Sequence, residues 1–231
     1  MLTKAKTKAT TKTNRARKPA STAFDLKGTS RSPASSMGPR ALRTSGKIMD
    51  SARAVFLQKG YHGTTIDDIV EDAGVSRASF YSYYPSKRDL LLELGRHTAA
   101  AIDTTIEAME AIVDSDVDDP VTEIVRTYLD FLDEHGAFVL VWGQATFDDE
   151  KLAVAGMRTR LVSGRRFAHL LERLGATPPA SDDPAQEGLA LLVMMDRYWS
   201  YWHVNGFPFD EEQVIHTLAG ILQAVIDSWS R

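Results

Sequence analysis

The sequence predicts an all-α protein, and three observations lead to that class. From Ser45 onward, apolar residues recur at the three- and four-residue spacing of amphipathic helices. No segment alternates apolar and polar residues over the length of a strand between turn signals. Residues that cap helices, and glycines or prolines that end them, separate the apolar segments. With 231 residues, the chain has room for one large domain or two small ones.

The first 43 residues differ in composition from the rest. Residues 1–47 hold 12 of the 27 Lys and Arg residues and one acid, whereas the remainder holds 15 bases and 30 acids. Few large apolar side chains occur before Arg43, and prolines and glycines interrupt the segment. We therefore expect a disordered basic arm over 1–43. It is either a nucleic-acid-binding segment, a solubilising tail, or the product of a start codon assigned too far upstream.

Three short helices are predicted next. The first covers about 45–59 and is followed by a glycine stop. The second begins at Thr64 or Thr65, because each is followed three residues later by an aspartate, as in a capping box. The third is capped by Ser76 and runs through about Tyr84.

Longer helices are predicted for the remainder of the chain. The acidic linker 114–120 and the proline-rich loop 177–184 divide them. The predicted helices cover about 86–113, 120–135, 136–146, 148–174, 184–204 and 210–229.

A helix, a tight turn and a short helix form the layout of a helix-turn-helix DNA reader. On the short third helix, Phe80 and Tyr84 share a face that we expect to pack against the second helix. The opposite face carries Ala78, Ser79 and Ser82, which are small or carry hydroxyl groups. Such a face can enter a major groove about 12 Å wide and contact base edges.

Larger polar side chains surround this face. Tyr81 and Tyr83 flank it, and Arg77 lies in the first turn, where it can reach guanine or phosphate. Lys87 begins the next helix and adds a cation for phosphate. Taken alone, a short tyrosine-rich helix is more often part of a core, so the spacing of the whole segment has to support the DNA-binding interpretation.

The segments GYHGTTIDDI (60–69) and AGVSRASFYSYYPSKRDLL (73–91) resemble the N-terminal domain of TetR-type transcriptional regulators. The resemblance implies a helix-turn-helix DNA-binding domain over 44–92 and a helical ligand-binding and dimerisation domain over 93–231. It also implies a homodimer whose last two helices form a four-helix bundle across a two-fold axis. The candidate DNA-binding residues are Thr64, Thr65, Arg77, Ala78, Ser79, Tyr81, Ser82, Tyr83 and Lys87. Among them, the resemblance assigns Thr64, Tyr81, Tyr83 and Lys87 to phosphates, and Arg77, Ala78, Ser79 and Ser82 to bases.

The middle and late helices concentrate aromatic and methionine side chains. This composition suits an apolar pocket for a small hydrophobic or amphipathic ligand, although an aromatic-rich helix can equally be ordinary core. The candidate ligand-binding residues are Tyr128, Phe131, Phe138, Trp142, Gln144, Met195, Tyr198, Trp199 and Trp202. The candidate polar anchors are Tyr128, Gln144, Asp196 and Asn205.

Several classes of protein fit the sequence poorly. It has no cysteine, no glycine-rich phosphate loop and no Gly-x-Ser-x-Gly motif, and no two histidines have the four-residue spacing of a helical metal pair. We therefore expect neither an enzyme nor a cofactor or metal. No apolar run is long enough for a transmembrane or secretory segment, so we expect a cytoplasmic protein without a membrane partner.

Together with the helix-turn-helix layout, the resemblance implies a repressor that binds a pseudo-palindromic, double-stranded DNA operator as a homodimer and is released by a small molecule. The alternative is a DNA-binding regulator or architectural protein without a small-molecule inducer. An activator also remains open, because a reading helix does not reveal where its operator lies.

Overall fold

The computed structural model describes residues 38–147, 149–177 and 183–230, and these ranges contain helices and no strand. We call α1–α3 the head and α4–α8 the body. The helices are α1 (Pro39–Gly63), α2 (Ile66–Ala73), α3 (Arg77–Tyr83), α4 (Lys87–Val113), α5 (Pro120–Ala145), α6 (Glu150–Arg173), α7 (Ala185–Trp199), a π-helical segment (Ser200–Val204) that continues α7, and α8 (Glu211–Trp229).

Helix α1 begins six residues earlier than the predicted 45. Pro39 occupies the first turn, where its missing N–H costs nothing and its fixed φ suits a helix. Residues 39–43, which the prediction assigned to a disordered arm, are therefore helical. The rest of the predicted arm, residues 1–37, lies outside the described residues. At the other end of α1, Gly60 (φ 70°, ψ 170°) leaves the helical conformation at the predicted stop.

The two short helices of the head have the predicted caps. Thr65, rather than Thr64, forms the capping box with Asp68, and each residue receives a backbone N–H of the other. Gly74 adopts the left-handed conformation that ends α2. The Ser76 hydroxyl accepts from the Ser79 N–H at 3.1 Å and starts α3.

Helix α5 is one continuous helix where the sequence predicted two, over 120–135 and 136–146. Gly136 does not break it, because this glycine leaves room for the ring of Trp199. A Cβ atom at this position would overlap that ring. The glycine therefore permits close packing of α5 on α7.

Two apolar cores follow from this arrangement. One contains buried residues of α1–α3 together with the C-terminal end of α5 and the start of α6, among them Phe56, Phe80 and Val141. The other lies among α4–α8, with Phe167 and Trp199 fully buried. The head thus packs directly on the body, and α4 contributes to both cores.

Within the described ranges, no helix combines the length and the apolar character that crossing a membrane requires.

Candidate nucleic-acid interface and apolar cavity

Buried aromatic residues hold α3 in place. Phe80 is fully buried and lies 5.9 Å, centroid to centroid, from Tyr84, which is buried as well. The Tyr84 and Ser45 hydroxyls are hydrogen-bonded at 2.6 Å, which ties the end of α3 to α1. As predicted, Phe80 and Tyr84 share a core with Ile69 of α2.

The opposite side of α3 faces solvent. Ala78, Tyr81 and Ser82 are exposed, with 47% of Tyr81 accessible, and Ser79 and Tyr83 are half-buried. The Ser82 hydroxyl donates to the Ser79 carbonyl at 2.6 Å, so its lone pairs remain available. The side predicted to contact bases is therefore accessible.

Arg77 is exposed and has an acidic neighbour. Its Nη1 donates to the Asp67 carboxylate at 3.0 Å, and both side chains are more than half exposed. An ion pair in this setting is screened by water and salt and is worth roughly 0–1 kcal/mol. Arg77 can therefore leave Asp67 for a nucleic-acid acceptor at little cost.

The two threonines before α2 differ in accessibility. Thr64 is 2% exposed, and its hydroxyl donates to the Gly60 carbonyl at 2.7 Å. This corrects the expectation that the Thr64 side chain contacts a phosphate, because it closes the turn after α1 inside the protein. Thr65 is exposed, and its hydrogen bonds, after that of Lys59, keep the pKa of Asp68 far below its usual range.

The ammonium group of Lys87 is hydrogen-bonded within the protein. Its ammonium donates to the carbonyls of Tyr61 and Thr64, each at 2.6 Å, and lies 4.4 Å from the centroid of the Tyr61 ring. Burial lowers its pKa, and the Asp68 carboxylate acts in the opposite direction. Lys87 thus links the start of α4 to the end of α1, and two of its three ammonium hydrogens are used in doing so.

Head and body also meet at the ends of α5 and α6. The Gln144 side-chain oxygen accepts from the Tyr61 N–H at 3.1 Å. Next to this contact but within the body, Arg88 Nε of α4 donates to Asp149 at the start of α6 at 2.5 Å. Gln144 was predicted to bind a ligand in the body. The structure corrects this, because its side chain contacts the backbone of the head and does not line the cavity described next.

The body contains an apolar cavity that is open to solvent on one side. Its empty volume is about 630 Å³, and this figure includes the space at the opening. Four of the predicted ligand-binding residues line it, namely Tyr128, Phe131, Phe138 and Trp142. Helix α6 approaches closely here, because a side chain at Gly156 would overlap the indole of Trp142.

The four predicted residues of α7 and its continuation do not line this cavity. Met195 and Trp199 are core residues, and the Trp199 indole donates to Asp133 at 2.6 Å. Tyr198 stacks on Phe209 at 6.2 Å, and the Trp202 indole donates to the Phe209 carbonyl at 2.9 Å. The residues that α7 turns toward the cavity are instead Leu189, Leu192 and Asp196.

A polar network forms part of the cavity wall. The Tyr128 hydroxyl donates to one oxygen of Asp196 at 2.6 Å, and Arg160 Nη1 donates to the other at 2.7 Å. Burial, reinforced by the carboxylate, raises the pKa of Tyr128 well above its ordinary value. Burial alone would lower the pKa of Arg160, but the Asp196 carboxylate outweighs it and the pKa is raised. The sequence interpretation missed Arg160, although Gly156, Thr159, Arg160 and Ser163 have the spacing of one helical face.

Residues 48–94 match the family described as bacterial regulatory proteins, tetR family. The regulator BetI of Burkholderia thailandensis is 25% identical over 193 residues, which are 78% of this chain and 91% of BetI. The negative regulator IcaR of Staphylococcus aureus is 43% identical over 44 residues, which are 19% of this chain and 24% of IcaR. The activator FasR of Mycolicibacterium smegmatis is 24% identical over 74% of this chain and 77% of its own.

Solved structures share the fold. The regulator LfrR from Mycobacterium smegmatis, in complex with proflavine, superimposes with a TM-score of 0.61 at 23% identity, over 81% of this chain and 98% of LfrR. The fatty acid degradation regulator FadR from Bacillus halodurans gives a TM-score of 0.61 at 18% identity, over 80% of this chain and 95% of FadR. The all-helical arrangement of head and body is thus that of these regulators.

Proposed function

Because residues 48–94 make this chain a member of the tetR family of bacterial regulatory proteins, we propose that it is a repressor that binds its DNA operator as a homodimer and is released by a small apolar molecule. Members of this family are transcriptional regulators and not enzymes. Repression is the proposed direction, in line with the negative regulator IcaR, whereas FasR is named an activator.

The accessible side of α3 is the observation that carries the DNA-reading proposal. Ala78, Tyr81 and Ser82 are exposed on one side, while Phe80 and Tyr84 anchor the other in the core. A helix held in this way can enter the major groove as a rigid unit, with Arg77, Ala78, Ser79 and Ser82 toward the bases. Tyr81 and Tyr83 flank this helix side and contact the phosphates.

Exposed apolar side chains support the homodimer. They lie late in α7, in the segment after it and on α8, and a monomer gains nothing by exposing them. The exposed residues are Val193, Tyr201, Val204, Phe207, Phe209 and Ile221. A two-fold contact through this surface would present two copies of α3 and require a pseudo-palindromic operator.

The cavity supports control by a ligand. Helix α4 begins at Lys87, which is bonded to the head, and its residues Gly95, Thr98, Ala99 and Ile102 line the cavity. A ligand that favours one position of α4 would shift the population between two spacings of the reading helices. LfrR, in complex with proflavine, is an example of a ligand-bound protein with this fold.

The test compares two arginine substitutions. Arg77→Ala removes the exposed cation of α3, while Arg158→Ala makes the same change at an exposed position of α6. We expect Arg77→Ala to weaken binding to an operator selected from genomic fragments by roughly 10- to 100-fold, because a base contact of arginine is worth about 1–3 kcal/mol. Arg158→Ala should bind nearly as the wild type in a fluorescence anisotropy titration. Wild-type affinity in Arg77→Ala would contradict the placement of α3 on the bases.

A further inference from the structure

The cavity wall indicates the kind of ligand that the proposed regulator recognises. Resting on the ligand control proposed above, we infer that the cavity binds an uncharged ligand with an apolar body and a carbonyl-type oxygen that accepts a hydrogen bond from Arg160. The inference follows from the charges of the lining residues, from their unused hydrogen-bonding groups and from the shape of the apolar walls.

The charges that line the cavity compensate each other. Among its lining residues, Arg160 and Asp196 are the two that carry a charge at neutral pH, and they are joined at 2.7 Å. Tyr128 stays neutral, because its pKa lies well above the ordinary value. A cationic or anionic ligand would therefore bring an uncompensated charge into an apolar site, which is costly. An uncharged ligand avoids this cost.

The unused polar groups are donors. Both oxygens of Asp196 already accept a hydrogen bond, one from Tyr128 and one from Arg160. Arg160 has five N–H groups and donates one of them within the described residues. Its side chain keeps 37% of its surface accessible, so the other N–H groups can be reached. Since the N–H groups of Arg160 are the larger unused capacity, a ligand that offers an acceptor gains most from this wall.

A second polar group in the lining is unsatisfied. Thr98 is 6% exposed, and its hydroxyl has no hydrogen-bond partner among the described residues. Leaving such a group buried and unpaired is unfavourable, and a ligand oxygen would satisfy it. Thr98 lies on α4, so a ligand that bonds to it acts directly on the helix that connects cavity and head.

The rest of the lining is suited to an aromatic or branched apolar body. Phe138 and Trp142 pack with their ring centroids 5.4 Å apart, and Phe131 and Tyr128 are stacked at 5.7 Å. Ile102 and Leu192 complete the apolar surface. Apolar contact of this kind supplies affinity, while the few polar groups fix the orientation of the ligand.

The experiment uses four probes that share a naphthalene body and differ in one substituent at the same ring position. Acetylnaphthalene carries a neutral acceptor, ethylnaphthalene has none, naphthoate is an anion and naphthylmethylammonium is a cation. Calorimetric titration of the full chain measures each dissociation constant. We expect acetylnaphthalene to bind about 10-fold or more tighter than ethylnaphthalene, in line with a hydrogen bond to a charged group. Both charged probes should bind more weakly than acetylnaphthalene by at least a similar factor.

Two variants each remove one charge of the Arg160–Asp196 pair. In Asp196→Asn the amide oxygen can still accept from Tyr128, but Arg160 loses its counter-charge, so naphthoate should become the tightest probe. In Arg160→Met the carboxylate of Asp196 is left alone, so naphthylmethylammonium should become the tightest. Circular dichroism establishes folding for each, and either folded variant alone tests the charge argument.

The outcomes separate the two proposals. A charged probe that binds wild type as tightly as acetylnaphthalene, or equal binding of acetylnaphthalene and ethylnaphthalene, overturns this inference and leaves ligand control intact. Unchanged probe preference in both folded variants overturns it as well. If none of the four probes binds, both the inference and ligand control fail, while the DNA-reading proposal is still judged by Arg77→Ala.

Discussion

Gly60 is the residue at which the head meets the body. Its φ of 70° lies in the left-handed region that side chains with a Cβ atom avoid. A Cβ atom at this position would also lie 2.8 Å from the side-chain oxygen of Gln144, which accepts from the next residue, Tyr61. The backbone conformation therefore calls for glycine here, and any larger residue would also displace the end of the Gln144 side chain.

We predict that Gly60→Ala destabilises the protein by about 1–3 kcal/mol, the usual cost of a strained backbone conformation. Urea unfolding followed by circular dichroism measures the change. Gly46→Ala is the matched control, because Gly46 lies within α1 and a Cβ atom there meets nothing within 4 Å. That control should be stabilised by roughly 0.5–1 kcal/mol, the difference between alanine and glycine in a helix. Equal effects of the two substitutions would show that the left-handed conformation of Gly60 imposes no constraint on the residue type.

At the scale of helices, local features could be predicted and packing could not. The caps Thr65 and Ser76 and the two faces of α3 depend on residues within one or two turns of each other, and the sequence contains that information. The cavity-facing side of α7 depends instead on its crossing with α6, where Gly164 and Gly188 bring the two backbones together. Since the crossing rotates α7, it directs Asp196 to the cavity and Trp199 to the core.

The same limit applies to α5 and to the cavity. Four aromatic residues that the composition had singled out line the cavity together, because they lie on one side of a helix α5 that is continuous. Arg160 was missed because its importance arises from Asp196 on another helix. On a helix with many polar residues, the sequence does not distinguish a charged residue with a buried partner from one that faces solvent.

The packing of α5 predicts a pH dependence of stability. His135 is buried, and burial lowers its pKa from the ordinary 6.5. Glu134 opposes the shift, while Arg53 of α1 and His97 of α4 add to it. In the unfolded chain, His135 therefore binds a proton near pH 6.5, whereas in the folded protein it binds one only at a lower pH. The free energy of unfolding consequently falls as the pH drops through 6.5.

We expect His135→Gln to flatten this dependence, because the side chain then no longer titrates. Urea unfolding between pH 5.5 and 7.5 measures it in both proteins. His169→Gln, the same change at an exposed position of α6, is the control for the substitution itself. A wild-type profile in His135→Gln would mean that another group causes the loss of stability in acid.

On the scale of the whole molecule, two body helices are hydrogen-bonded to the head, and one of them is paired with a third body helix. Lys87 of α4 and Gln144 of α5 are both hydrogen-bonded to Tyr61 near the C-terminal end of α1, and Arg88 of α4 pairs with Asp149 at the start of α6. Each of these helices also lines the cavity. If ligand binding shifts α4 or α5 as proposed, the change has two hydrogen-bonded routes to α1, one through Lys87 and one through Gln144.

Charge is also unevenly distributed along the whole chain, which predicts how its affinity for DNA responds to salt. Residues 1–37, outside the described ranges, contain nine Lys and Arg residues and one acid. Each phosphate that such a cation neutralises steepens the slope of log affinity against log salt by about 0.9. We expect a chain that starts at Gly38 to bind DNA with a shallower slope than the full chain, in titrations between low and physiological salt. A full-length variant with those nine bases changed to glutamine should match the truncated chain, since charge and not length is responsible. Equal slopes for all three proteins would remove these residues from DNA binding, and a steep slope in the glutamine variant alone would assign the effect to something other than charge.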